Sequence, residues 1–374
     1  MKVVIAIDSF KGSLTSREAA AAVEDGLLRA RPASEVIKIP VADGGEGTAD
    51  ALVGALGGVF VEAQVHGPLG EKVLAKYGIV NLSGKICAVI ESAEAIGLPL
   101  VPEGLRNPMK TSSFGLGEMV LDALSRGCRR FIVGLGGSST NDAGLGMLTA
   151  LGYRFFDSRG VLLTSCTGEI VPLVGSIDSS CAEKALKEAQ FKVACDVNTV
   201  FADAPQVFGP QKGATPSMVK TLKKGMQALA PIIEKNTGSD VSLLAGGGAA
   251  GGLGAAFFAF LNADLRPGAD LVLDAVGFDS ALEGADVVIT GEGRIDMQTS
   301  LGKMPSVVLR RVRAASESIP VVAFCGTNSE GSGPFSRIIP ISPPSMPLKE
   351  AMNPFVASKN LSEAAYDYFH LCQK

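Results

Sequence analysis

The chain has 374 residues, of which 34 are Lys or Arg and 38 are Asp or Glu, for a net charge of −4. That balance excludes a binder of the nucleic-acid backbone, which needs clustered basic residues, and a composition of 47% hydrophobic and 19% charged residues excludes disorder. Glycine is abundant, at 45 residues, but without a Gly-X-Y period, so collagen is excluded as well.

The first predicted strand is Val3–Ile7, followed by the loop Asp8-Ser9-Phe10-Lys11-Gly12. A helix follows, opened by the Thr15/Glu18 capping box and closed by Arg31-Pro32. A second strand, Glu35–Val41, runs into Ala42-Asp43-Gly44-Gly45-Glu46-Gly47, and Thr48 starts a helix that Gly57-Gly58 ends. This βαβα opening predicts a parallel sheet, whose ligands gather at the carboxyl ends of its strands. Three strands joined by short turns come next, at Val59–Val65, Val73–Val80 and Ile86–Glu91. Helix, strand and helix are then expected at Ser112–Arg126, Arg130–Leu135 and Asn141–Leu151.

Further strands are predicted at Phe191–Cys195 and Asp286–Thr290. The last section holds a helix near Pro305–Glu317, strands at Val321–Cys325 and Ile338–Ile341, and a C-terminal helix from about Leu361. Two strands alone cannot make a stable parallel sheet. The expected architecture is therefore α/β in two domains. Residues 1–58 with 285–374 would form a Rossmann-like, doubly wound parallel sheet, and residues 59–284 an inserted α/β domain with a mixed sheet.

Residues 241–262 are uncharged and contain GxxxG spacings at Gly247/Gly251 and Gly248/Gly252, a pattern known from membrane helix pairs. Six glycines between Gly246 and Gly254 would strongly weaken a helix there, and no Lys or Arg anchors flank it. A Gly-rich loop entering a buried helix at Ala255–Leu261 is the expectation, with no membrane contact. The seven cysteines form no CxxC pair, and the two histidines are far apart, so no structural zinc site is expected. The odd cysteine count and the absence of a signal-peptide core after Met1-Lys2 predict a cytoplasmic protein.

Three loops carry the candidate chemistry. Gly134-Leu135-Gly136-Gly137-Ser138-Ser139-Thr140-Asn141-Asp142 follows an apolar strand and is read as opening a helix, where N–H groups favour anions. It is not a Walker A loop, since the Gly-Lys-Ser/Thr ending is missing. It reads either as a phosphate cradle or as a well-capped turn. Gly291-Glu292-Gly293-Arg294-Ile295-Asp296 places three charges beside two glycines. Arg294 could grip a carboxylate or phosphate, while Glu292 or Asp296 could hold Mg²⁺. Asp196 follows the strand Phe191–Cys195 and could accept a hydrogen bond from a substrate hydroxyl, with Lys212 neutralising phosphate.

At these residues the sequence resembles the bacterial glycerate kinase family. The resemblance rests on Asp8–Gly12, Pro40–Thr48, Gly136-Gly137-Ser138 with Thr140–Asp142, Cys195–Val197 and Val207–Ala214. It continues through Gly251–Gly254, Leu273–Phe278 and Gly291–Arg294 with Asp296, Gln298, Thr299, Gly302 and Lys303. It implies ATP- and Mg²⁺-dependent phosphorylation of D-glycerate in a cleft between two α/β domains, with 2-phosphoglycerate favoured over 3-phosphoglycerate. Carried onto this chain, Asp196 would orient the attacking hydroxyl, with Asp296 as its rival, and Arg294 or Lys11 would hold the carboxylate of the small acid. Ser9, Asp43, Gly44, Gly45, Gly136, Gly137, Ser138, Ser139, Thr140, Asn141 and Lys212 would bind substrate or phosphate. Glu292 and Asp142 would hold the metal. A kinase of another small hydroxy acid and a non-catalytic small-acid binder are the alternatives, and the chain could be a monomer or a homodimer.

Overall fold

In chain order the main elements are β1 (Lys2–Ile5), α1 (Ser16–Ala30), β2 (Glu35–Lys38), α2 (Thr48–Leu56), β3 (Val59–His66), β4 (Lys72–Leu82) and β5 (Lys85–Glu91). There follow α3 (Phe114–Ser125), β6 (Arg130–Gly134), α4 (Leu145–Ala150), β7 (Arg154–Phe156), β8 (Ser176–Asp178) and β9 (Gln190–Ala194). The chain continues with α5 (Pro216–Thr237), α6 (Leu253–Leu261), β10 (Asp264–Arg266), α7 (Gly268–Ala275), β11 (Val287–Ile295), α8 (Met304–Ala315), β12 (Val321–Asn328), β13 (Arg337–Pro340) and α9 (Pro354–Leu371). The computed structural model describes residues 1–295, 303–328, 334–343 and 345–371.

The described chain divides into two compact units, residues 1–43, 50–56 and 269–374 against residues 44–49 and 57–268. In the first unit the first two strands and the last three form one parallel sheet, in the order β13-β12-β11-β1-β2. The apolar run that predicted β1 is buried on both faces, as a central parallel strand requires. Val3, Ile5 and Ile7 pack with Val23, Leu27, Leu361 and Phe369 on one side. Val4 and Ala6 pack with Leu273, Phe278, Val308 and Val312 on the other. Along the sheet the order reads 2-1-3-4-5, so the direction of winding reverses at β1, where ligands of such sheets gather.

The second unit carries a mixed six-stranded sheet, β10-β9-β6-β5-β4-β3, in which β3, β4 and β5 form an antiparallel meander and β5, β6, β9 and β10 run parallel. Its core includes Tyr77, Phe131, Val133, Phe155, Phe191, Phe201 and Phe257. The Gly-rich stretch runs as expected into a buried helix, α6, and among the described residues no helix is long and apolar enough to cross a membrane.

Four expectations change. Residues 269–284, expected in the inserted segment, pack with the first unit, because Ala269, Leu273, Phe278 and Leu282 share a core with Val288. Residues 44–49 group with the second unit. The helix expected at Asn141–Leu151 starts only at Leu145, after Gly144 turns the chain at φ 74°. The C-terminal helix starts at Pro354 rather than about Leu361. The 22-residue helix α5, capped by the Thr215 side chain and ended by Gly238 at φ 80°, was not read from the sequence at all.

Candidate active site

Within the first unit, three adjacent strands each deliver an acid near their carboxyl ends. Asp8 follows β1, Asp43 follows β2, and Glu292 lies in β11. The ends of β1 and β2 are pinned together through Ser16, whose hydroxyl donates to the Ile7 carbonyl at 2.7 Å and accepts from the Val41 N–H at 3.0 Å. The Asp8 N–H donates to the Gly291 carbonyl at 2.9 Å, which extends the β1–β11 pairing into the loop.

Cations are shared unequally among these acids. Lys11 pairs with Asp43 at 3.0 Å, and Lys303 approaches Glu292 at 3.7 Å. Asp8 is only 6% exposed, accepts from the Ser9 N–H at 2.7 Å, and forms no ion pair among the described residues. Burial, with the negative charges of Asp43 and Glu292 added, pushes the Asp8 carboxyl up to about 7. A dry acid at that value can exchange a proton near neutral pH. Asp8 was not among the expected site residues. Its signal was an acid immediately after five apolar residues of a first strand. Arg294 is exposed near the end of β11, where it pairs in register with Thr327 of β12. Asp296 lies outside the described residues.

Within the second unit, the loop after β6 meets the Gly44-Gly45 segment. A Cβ on Gly134 would fall 2.5 Å from the Gly44 carbonyl oxygen, and one on Gly136 would fall 3.3 Å from the Gly45 Cα. Gly136 and Gly137 are exposed, so a ligand can reach their backbone. Gly137 is in the left-handed region at φ 72°. Beyond them the loop is buried and tied down. The Ser139 hydroxyl donates to the Ile96 carbonyl at 2.9 Å, and the Thr111 hydroxyl donates to the Ser139 carbonyl at 3.0 Å. The Lys212 ammonium, 2% exposed, donates to the Ser138 hydroxyl at 3.0 Å and to the Thr140 carbonyl at 2.6 Å. Burial pushes this amine down to about 7, and the more distant Asp142 charge opposes the shift only in part.

Two expectations for this loop are corrected. The N–H groups at the start of α4 are not offered to a ligand anion, because the Ser113 hydroxyl takes that of Met147, and Asp142 takes that of Leu145 with its carbonyl and that of Gly146 with its carboxylate. Its carboxylate accepts from Gly144 N–H at 3.1 Å, from Gly146 N–H at 3.2 Å, and from both the N–H and the hydroxyl of Ser113 at 2.7 Å. With no exposure and these donors around it, Asp142 organises the loop and is not placed to ligate a metal ion. Asn141, also buried, donates to the Gly251 carbonyl at 3.5 Å. Buried Thr140 Oγ1 and Asn141 Oδ1 have no hydrogen-bond partner. Asp196 is exposed beyond β9, and its carboxylate accepts from the Gly268 N–H at 2.9 Å.

A doubly wound parallel sheet in one unit and a mixed sheet in the other place the chain in the α/β class. A sequence model described as the glycerate kinase family matches residues 3–373. The chain is 44% identical over 359 residues to the glycerate kinase of Bacillus subtilis (strain 168), covering 94% of this chain and 93% of that one. It is 43% identical over 336 residues to the glycerate 2-kinase of Escherichia coli (strain K12), covering 89% and 87%. The crystal structure assigned as a glycerate kinase 2 from Salmonella typhimurium LT2 superposes with a TM-score of 0.90 at 41% identity, covering 100% of this chain and 98% of that one. The chain belongs to the glycerate kinase family, a family of phosphoryl-transferring enzymes.

Proposed function

We propose that the chain transfers the terminal phosphoryl group of ATP to the 2-hydroxyl of D-glycerate. The observation that carries this reading is the 43% identity, over 89% of the chain, to a relative named glycerate 2-kinase. The chemistry of the loops supports it. Phosphoryl transfer asks for positioning and charge neutralisation rather than covalent catalysis. The exposed backbone at Gly136 and Gly137, with Gly44, Gly45 and the Ser138 hydroxyl, suits phosphate. Arg294, Lys11 and Ser9 suit the glycerate carboxylate. Asp8 replaces Asp196 as the group that accepts the hydroxyl proton, because it is dry and carries no cation of its own.

Among the described residues, no three His, Cys, Asp or Glu side chains converge as ligands of a metal ion. Magnesium often keeps several waters and binds mainly through substrate phosphates. Nucleotide phosphates would hold most of such an ion, which would supply charge neutralisation there, and Glu292, approached by Lys303, is the acid of this chain nearest to that role.

The test is ADP formation on mixing protein, ATP, Mg²⁺ and D-glycerate, with the product identified by NMR. Glycerate-dependent ADP and a 2-phosphate signal are expected. Equal ADP release without glycerate would overturn the kinase reading, and a 3-phosphate signal would overturn the regiochemistry.

A further inference from the structure

The chain passes from one compact unit to the other at four places: Asp43 to Gly44, Ala49 to Asp50, Leu56 to Gly57, and Gly268 to Ala269. Inside the second unit, the segments that carry these crossings are held by acids at the ends of parallel strands. Glu91, the last residue of β5, accepts from the Ala49 N–H at 2.8 Å and from the Gly47 N–H at 3.4 Å. Asp196, two residues beyond β9, accepts from the Gly268 N–H at 2.9 Å. Backbone meets backbone between these points. Gly44, at φ 90°, has no room for a side chain, since a Cβ would fall 2.5 Å from the Gly268 Cα and 2.8 Å from the Ala194 Cβ.

Building on the kinase reading above, we infer that Glu91 and Asp196 are positioning residues of the reaction, whose carboxylates fix the Gly44–Ala49 and Gly268 segments without touching substrate. Among its contacts, each carboxylate accepts from backbone N–H groups of the segment it faces. Such bonds are stronger when the acceptor is charged, but the geometry needs only an oxygen. The Gly44-Gly45 backbone borders the Gly136 loop, so a drift of this segment misplaces groups proposed to bind substrate. An ångström of misplacement can reduce turnover about 100-fold.

The experiment compares amide and alanine replacements at both positions. Glu91→Gln and Asp196→Asn keep an acceptor oxygen but cannot take a proton, whereas Glu91→Ala and Asp196→Ala remove the acceptor. The amide variants are expected to keep kcat within a fewfold of wild type. The alanine variants should lose about 10- to 100-fold in kcat, with the KM for ATP little changed. Hydrogen exchange at the Ala49 and Gly268 amides should stay slow in the amide variants and become fast in the alanine variants. If Asp196→Asn loses as much turnover as Asp196→Ala while the Gly268 amide stays protected, Asp196 acts as a base and the inference falls. Full turnover in both alanine variants also overturns it. Should an alanine variant fail to fold, its amide counterpart still decides. A wild-type protein without glycerate-dependent ADP formation refutes the kinase reading, and the exchange pattern then judges the contacts separately.

Discussion

Replacing Asp8 with Asn should stabilise the fold at alkaline pH while stopping catalysis. The ordinary value of this carboxyl is 3.8, and burial together with Asp43 raises it to about 7. At roughly 1.4 kcal/mol per unit, the ionised form destabilises the folded chain by about 4 kcal/mol. Below about pH 4 the group is largely protonated in both the folded and the unfolded chain, and its effect is small. Between about pH 4 and pH 7 the folded chain keeps the proton that the unfolded chain has lost, so stability falls as pH rises, and above that window the loss is complete. Asn can still accept from the Ser9 N–H but carries no charge at any pH. The gain in unfolding free energy of Asp8→Asn over wild type should therefore be larger at pH 8 than at pH 5 by roughly 2 to 3 kcal/mol. Urea unfolding of both proteins at the two pH values measures this, and other titrating groups largely cancel in the difference. Turnover should fall about 10²- to 10⁴-fold, because an amide cannot take the hydroxyl proton. A stability difference that stays flat between the two pH values would refute the reasoning, whatever the activity does.

Gly137→Val should leave the circular dichroism spectrum intact but sharply raise the KM for ATP. A Cβ there has ordinary space, 3.4 Å from the Ala93 Cβ, but φ 72° disfavours a β-branched residue, and the loop would have to change shape. Normal ATP kinetics would return the loop to a purely structural turn. Lys212→Met leaves the Ser138 hydroxyl and the buried Thr140 carbonyl without their donor, which should cost a few kcal/mol. Because burial lowers the amine from 10.5 to about 7, wild-type stability falls as pH drops through that window. The Met variant is free of this fall, so its deficit should be about 3 kcal/mol smaller at pH 7 than at pH 9.5. An equal deficit at both values would show that the amine is not shifted.

The frame of the fold was legible because its signals are local. Five apolar residues from Val3 announced a central parallel strand, and Thr15 with Glu18 announced a helix start that the capping box realises at 2.9 Å and 3.2 Å. The Gly-rich run ahead of α6 was likewise readable as a loop. Helix α5 was not, because Gly225 and Pro231 interrupt its pattern. Tertiary packing explains the first of these, since a Cβ on Gly225 would fall 2.9 Å from the Pro172 Cα. The boundary at residue 269 was hidden for a similar reason. Only the shared core of Leu273, Phe278 and Val288 assigns that stretch to the first sheet.

Chemical roles were less legible than positions, and the acids show why. Asp8, Asp43, Asp142, Asp196 and Glu292 all sit in polar loops or near strand ends, and in sequence nothing separates them. Their surroundings do. Asp142 is surrounded by donors from Ser113, Gly144 and Gly146, one of them far away in the chain. Asp196 meets Gly268, 72 residues on. Asp43 and Glu292 stand beside lysines, while Asp8 lies between them only because the strand order places β1 between β2 and β11. Burial beside two like charges is what raises Asp8 to about 7, even though it too accepts a backbone N–H, from Ser9. Asp8 therefore has an environment that favours holding and releasing a proton near neutral pH, and that follows from the winding of the sheet rather than from any motif around it.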